Sequence, residues 1–214
     1  MCIRDRISLS PETGLIHESP APFVWSVVSN GSDGFWTATG DEGRVYEIGA
    51  DGDSSIFFDA VESEVHALAR RPEGGLYVGT GPNGKVYEVQ ANGESTTLVN
   101  LEETYIWSMV IGPDDALYVA TGTQGVIYRI ESDGTTAPFY NTLTTNVLSL
   151  AFDSQGRLLA GTESPGLCFE STAITEVLSS STQSLASSVP CELPKMEPFI
   201  WLAFVANRTL PNQH

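Results

Sequence analysis

Four positions spaced 41 residues apart, Trp25, His66, Trp107 and Leu148, carry the side chains of this sequence with the most chemistry to offer. Each follows a Val or Ile, at Val24, Val65, Ile106 and Val147, so they form one structural position that varies while its neighbours do not. Indole and imidazole rings gathered there would make an aromatic, hydrogen-bonding surface around a ligand. The same rings would also fill wedges between packed sheets, the commoner use of large aromatics. His66 is the single imidazole between residues 22 and 167, which excludes a histidine pair for metal binding or acid–base work in that stretch.

A catalytic group should break a repeat, because one or two copies suffice for it. Asp41 and Glu42 do so, standing where the other copies have Pro82-Asn83 and Thr123-Gln124; adjacent carboxylates on one exposed loop are ordinarily just solvated. Asp51, Asp53 and Ser55, with Glu62 eleven residues after Asp51, imitate part of an EF-hand ligand set. Ile56 stands where that loop needs glycine, and Asp51-Gly52 matches the turn pairs Asn92-Gly93 and Asp133-Gly134. No metal or cofactor is expected, and phosphate-loop, dinucleotide and nucleophile-elbow glycine patterns are not found. Thr39, Thr80, Thr121 and Thr162 recur in every copy, which assigns them a structural task such as bonding a turn amide. Asn30-Gly31-Ser32 fits a glycosylation acceptor, a tripeptide common by chance.

The elements that must position these residues are short strands. The words FWTATGDEGRVYEI at 35 to 48, LYVGTGPNGKVYEV at 76 to 89 and LYVATGTQGVIYRI at 117 to 130 repeat in step, with Tyr46, Tyr87 and Tyr128 in fixed register and Phe169 following. Each unit holds four apolar runs rich in Val, Ile, Tyr, Phe and Thr, separated by Gly, Asp and Asn turns. In the second unit they span Glu64 to Ala69, Leu76 to Thr80, Lys85 to Gln90 and Thr96 to Val99. Four strands in about 40 residues is the pattern of a propeller blade, whose two faces are buried against its neighbours. The fold expected is all-β: a β-propeller fragment of four-stranded antiparallel blades, in an open arc of three to four. The blades run 22–62, 63–103, 104–144 and 145–168, the last only begun, with 7–21 closing a preceding blade. Tyr46, Tyr87 and Tyr128 should then share one environment.

These blades resemble bacterial propellers of the form LYVGT…G.VYRI..DG, a broad group with many uncharacterised proteins, over residues 22 to 167. They are more distantly similar to NHL and WD-repeat propellers, and to streptogramin-lyase and gluconolactonase types. The Trp-Asp and Gly-His pairs of WD repeats and the Asp-box segment of sialidases are missing. The enzyme families gather acids or amides around a channel metal, whereas the corresponding stretches here read LYVGT, LYVAT and LLAGT, without an acid. The resemblance also implies a secreted or periplasmic location.

In an up-and-down blade, first strands start, second strands end and third strands start at one face. That rim holds the blade connections, Ala60 to Glu64 and Leu101 to Tyr105, and the loops Gly40 to Gly43, Gly81 to Gly84, Gly122 to Gly125 and Glu163 to Gly166. Binding residues concentrate on loops held by a rigid scaffold, so Trp25, His66, Trp107, Asp41, Glu42, Asn83 and Tyr105 are the candidate ligand contacts, with no catalytic or metal residue among them. A binding or scaffold module for a protein, peptide or glycan is expected. The alternative is a metal-dependent lactonase- or lyase-like propeller whose catalytic blades lie elsewhere.

Residues 7 to 167 hold 22 Asp/Glu against 6 Lys/Arg and no cysteine. So acidic a surface repels phosphate backbones and excludes nucleic acid as a partner; the missing thiols exclude disulfides and thiolate metal sites in that stretch. The opening MCIRDR is what ATG TGT ATA AGA GAC AG encodes, a string resembling the transposase end sequence used in sequencing libraries, so residues 1–6 are set aside as technical. After Gly166 the repeat stops, turning Ser-rich and then FIWLAFVA. Loss of one base near Leu167 explains this. Shifted codons across Lys195 to Leu202 then allow only Asn/Asp, Gly, Thr/Ala, an aliphatic or Phe, Tyr/His and Leu/Met/Val, the word seen as EGGLYV and DDALYV. The recovered glycine falls at 197, which is 41 after Gly156. Residues 169–214 are therefore expected to be an out-of-frame tail, and FIWLAFVA, far short of about 20 residues, is no membrane span. Resequencing the source DNA checks this, and deleting 170–214 should leave the preceding blades unchanged.

Overall fold

The computed structural model describes residues 14–163 and 166–171. Among them there is no helix; fifteen strands form four antiparallel sheets, each a simple meander. Blade 1 is β1 (Val24–Ser29), β2 (Phe35–Thr39), β3 (Arg44–Ile48) and β4 (Ser54–Asp59); blade 2 is β5 (Glu64–Arg70), β6 (Leu76–Gly81), β7 (Lys85–Val89) and β8 (Ser95–Asn100). Blade 3 is β9 (Ile106–Ile111), β10 (Leu117–Thr121), β11 (Val126–Ile130) and β12 (Thr136–Asn141). Blade 4 contributes β13 (Val147–Phe152), β14 (Leu158–Thr162) and β15 (Cys168–Ser171). The first strands β1, β5, β9 and β13 lie side by side, so the sheets stand as consecutive blades of a β-propeller. The third strand of blade 4 runs to Ser171, into the stretch expected to be out of frame, and the remainder of that stretch, like residues 1–13, lies outside the described residues.

The blade words are near-continuous hydrophobic runs because both faces of each sheet are covered. On β6 alternate side chains serve different cores: Leu76 and Val78 pack toward blade 1 with Val45 and Phe58, while Tyr77 packs toward blade 3 with Ile106 and Leu117. A third core joins Tyr118 and Ile127 of blade 3 to Val147 and Leu158 of blade 4. Contact is close enough that a Cβ on Gly79 would stand 2.6 Å from Ile106 Cγ2, which is why the second strand of blade 2 carries glycine there. Val65, Ile106 and Val147 are fully buried between blades, but Val24 at the same position of β1 is exposed, as Val27 is, so the arc is open at its first blade.

Two features of the strands go beyond the repeat pattern. In every blade the register of the first strand slips by one residue, at Trp25, His66, Trp107 and Leu148. Each is the extra residue of a β-bulge, a device that re-aims a side chain and sharpens local twist. The recurring threonines, expected to bond a turn amide, all donate to a carbonyl across the second-to-third-strand loop, and Thr162 also accepts the Leu167 amide at 3.1 Å. Thr39, Thr80, Thr121 and Thr162 Oγ1 reach Arg44, Lys85, Val126 and Leu167 O at 2.9, 3.1, 2.7 and 3.3 Å.

The three tyrosines occupy the same place in their sheets, opposite Thr37, Val78 and Val119. Their hydroxyls differ: Tyr87 donates to Glu62 at 2.8 Å and Tyr128 to Glu103 at 3.2 Å, while in blade 1 the residue equivalent to those glutamates is Ala21.

Candidate functional site

The bulges bring together what the sequence spaces 41 residues apart. Trp25 lies 5.1 Å from His66 between ring centroids, and His66 lies 4.8 Å from Trp107. Phe23 stacks on Trp25 at 5.6 Å, Tyr105 on Trp107 at 5.1 Å, and Tyr105 meets the His66 ring edge-on at 5.7 Å. The result is one aromatic ladder across the starts of β1, β5 and β9. Glycines at the ends of the second strands make room for it: a Cβ on Gly40 would stand 2.5 Å from Trp25 Nε1, one on Gly81 2.6 Å from Tyr105 Cδ1, and one on Gly122 2.6 Å from Trp107 Nε1.

The ladder is open at one end and closed in the middle. Phe23 and Trp25 are 51% and 46% exposed, Tyr105 and Trp107 are half-buried, and His66 is only 5% exposed. His66 Nε2 faces Glu64 Oε2 at 3.2 Å, while Nδ1 is buried without a partner. Burial pushes the imidazole pKa down to about 4, so at neutral pH the ring is uncharged. At the far end Trp107 Nε1 donates to Asn146 Oδ1 at 3.1 Å, and Asn146 Nδ2 donates to Glu163. Glu64, Asn146 and Glu163 escaped the sequence reading; a glutamate where the other blades have glycine at 40, 81 and 122 was the available signal for Glu163.

The remaining candidates sit on the same rim but outside the ladder. Asp41 and Asn83 are exposed and adopt left-handed backbone, φ 79° and 83°, as does Thr123 at 82°. Asp and Asn tolerate that conformation best, which accounts for Asp41 without any catalytic role. Glu42 pairs with Arg44, which also bonds Asp59. Asn83 lines a concavity of about 330 Å³ with Pro82, Lys85, Asn100, Glu102 and Glu103. Asp51 Oδ1 accepts the Asp53 amide at 3.2 Å in an ordinary turn, and among the described residues no three His, Cys, Asp or Glu side chains gather closely enough to hold a metal.

Beneath the rim, buried carboxylates mark the blade connections. Glu62 accepts from Lys85 Nζ at 2.7 Å and from Tyr87, and these two bonds outweigh its desolvation and hold it below the usual carboxylate range. Glu103 occupies the same place in blade 3, but Val126 replaces the lysine; burial pushes its pKa up, opposed only by Tyr128. The opposite face has its own cleft of about 290 Å³, lined by Arg71, Tyr77 and Asp114. Its arginines are paired there, Arg71 with Glu88 and Arg129 with Asp114, at 2.7 and 2.8 Å.

Fold and rim together define a β-propeller. No protein-family model matches the sequence, and no curated protein does. Solved propellers match in shape. Virginiamycin B lyase from Staphylococcus aureus, solved with quinupristin, superposes with a TM-score of 0.65 at 16% identity, over 73% of this chain and 55% of that one. The nidogen/laminin complex gives 0.61 at 13% identity, covering 71% and 61%, and the WD40 propeller domain of Doa1 gives 0.62 at 16%, covering 71% and 51%. The chain thus spans between half and two thirds of each. These neighbours include a lyase, a nidogen/laminin complex and a WD40 domain, and at such identities the likeness is one of fold.

Proposed function

We propose that this propeller is a non-enzymatic binding module that takes a protein, peptide or glycan on the face bearing the aromatic ladder. The observation that carries this reading is the contiguous set Phe23, Trp25, His66, Trp107 and Tyr105, drawn from three blades and half open to solvent. Exposed aromatic area of this kind offers large contact at small entropic cost and is concentrated at binding surfaces. The opposite face is a weaker candidate because three of its arginines, Arg71, Arg129 and Arg157, are already tied to carboxylates of their own blades. Peptide and glycan arrays probed with the wild-type protein and with Trp25→Ala test the reading: captured ligands should be lost from the variant, and ligands retained equally by both would overturn it.

The likeness to virginiamycin B lyase supports a second reading, a metal-dependent lyase- or lactonase-like enzyme whose catalytic residues lie outside these blades. Turnover of quinupristin with a divalent cation, assayed on a protein that includes the residues outside these blades, favours the second, and its absence there favours the first.

A further inference from the structure

The polar groups around the ladder restrict what it can hold. Glu64 lies beside His66 with its side chain about one-third exposed, and Glu163 lies past Trp107, exposed. Of the polar hydrogens nearest them, Trp107 Nε1–H is committed to Asn146, and His66 Nε2 faces Glu64 at 3.2 Å. Among the described residues only Arg44 and Lys85 bring a cation to this rim, and both are paired within or next to their own blades, with Glu42 and Asp59 and with Glu62. Two outward carboxylates therefore keep spare lone pairs beside the negative faces of Trp25, Tyr105 and Trp107, and no cation among the described residues answers them. A neutral sugar, which brings acceptors as well as donors, leaves that charge unanswered. A guanidinium has five donors, no acceptor, a plane that stacks on indole and a charge that suits both ring face and carboxylate.

Resting on the reading of this face as a binding surface, we propose that it recognises arginine side chains of a basic peptide segment, the guanidinium lying on Trp25 or Trp107 with Glu64 and Glu163 as its partners. The uncharged His66 between the two indoles then acts as a spacer that does not repel the ligand.

Acetyl-triarginine amide and its neutral isostere acetyl-tricitrulline amide are the probes, titrated against the full chain by tryptophan fluorescence and calorimetry. The arginine peptide should bind at least about tenfold more tightly, and its affinity should fall as salt is raised. Glu64→Gln and Glu163→Gln should each weaken it about fivefold, the scale of one partly exposed charge contact. Glu94→Gln, which removes one charge from an exposed turn at the opposite end of blade 2, should leave it unchanged. Equal binding of the two peptides, or an equal loss in all three variants, overturns the arginine assignment, since the attraction is then only the general field of a chain with net charge −17. If cellohexaose binds instead and loses affinity in Trp25→Ala, the arginine assignment falls while the binding face stands. If neither probe responds to Trp25→Ala, both fall.

Discussion

Two effects compete at His66, and the sign of a pH dependence decides between them. Burial of the ring among Trp25, Tyr105 and Trp107 disfavours the imidazolium, while the Glu64 carboxylate 3.2 Å from Nε2 favours it. Glu64 is partly in water, which screens it, whereas the ring is not, so burial wins and the folded pKa falls to about 4 from 6.5. The unfolded chain then takes up a proton below pH 6.5 that the native ring refuses until about pH 4, and stability is lost as the pH falls through that window. A depression of this size corresponds to about 3 kcal/mol in full, of which about 2 kcal/mol is lost between pH 7 and pH 5. His66→Gln keeps an N–H for Glu64 and cannot charge, so urea unfolding followed by tryptophan fluorescence at the two pH values should show a decline smaller by about 2 kcal/mol in the variant. A wild type that gained stability relative to His66→Gln on acidification would show that Glu64 dominates, and equal slopes would show that the ring is hydrated.

Four further outcomes follow from the same geometry. Tyr87→Phe leaves Glu62 its lysine and should cost about 1–2 kcal/mol in urea unfolding. Tyr128→Phe strips Glu103 of its hydroxyl donor; because a raised folded pKa makes charging oppose folding as pH rises, its cost should be larger at pH 8 than at pH 5, and a flat profile would contradict this. Gly81→Ala pushes a methyl toward Tyr105 and His66, at 2.6 and 2.9 Å, and should change the near-ultraviolet circular dichroism of the ladder with a loss of about 1–3 kcal/mol. Thr80→Val should cost about 1 kcal/mol, through the lost bond to Lys85 O, and leave ligand binding untouched.

The architecture was legible because a gapless repeat of 41 residues places strand, turn and tyrosine in the same register each time, and runs such as LYVGT signal sheets covered on both faces. Strand limits in blade 2 moved by one residue at most, Leu76–Gly81 and Ser95–Asn100 being each slightly longer than read. The aromatic candidates could be picked out by their variability, but not their arrangement. A bulge leaves no mark in composition: Trp25 looks like one more strand residue, and its offset appears only in the pairing of Val24 with Thr39 and Ser26 with Ala38. Glu62 and Glu103 were hidden for another reason. Their partners lie 25 residues away across a blade connection, and an acid in a linker reads as solvated until the next blade closes over it.

Because the backbone, not the side chain, sets the aim at residues 25, 66, 107 and 148, the scaffold is indifferent to what it displays there: Trp, His and Leu are all accommodated by the same slipped register. Duplication of a blade thus delivers a fresh display site already oriented, and divergence of a single codon gives it new specificity. Randomising these four codons samples recognition surfaces while leaving the inter-blade cores untouched, much as antibody loops vary on a constant framework.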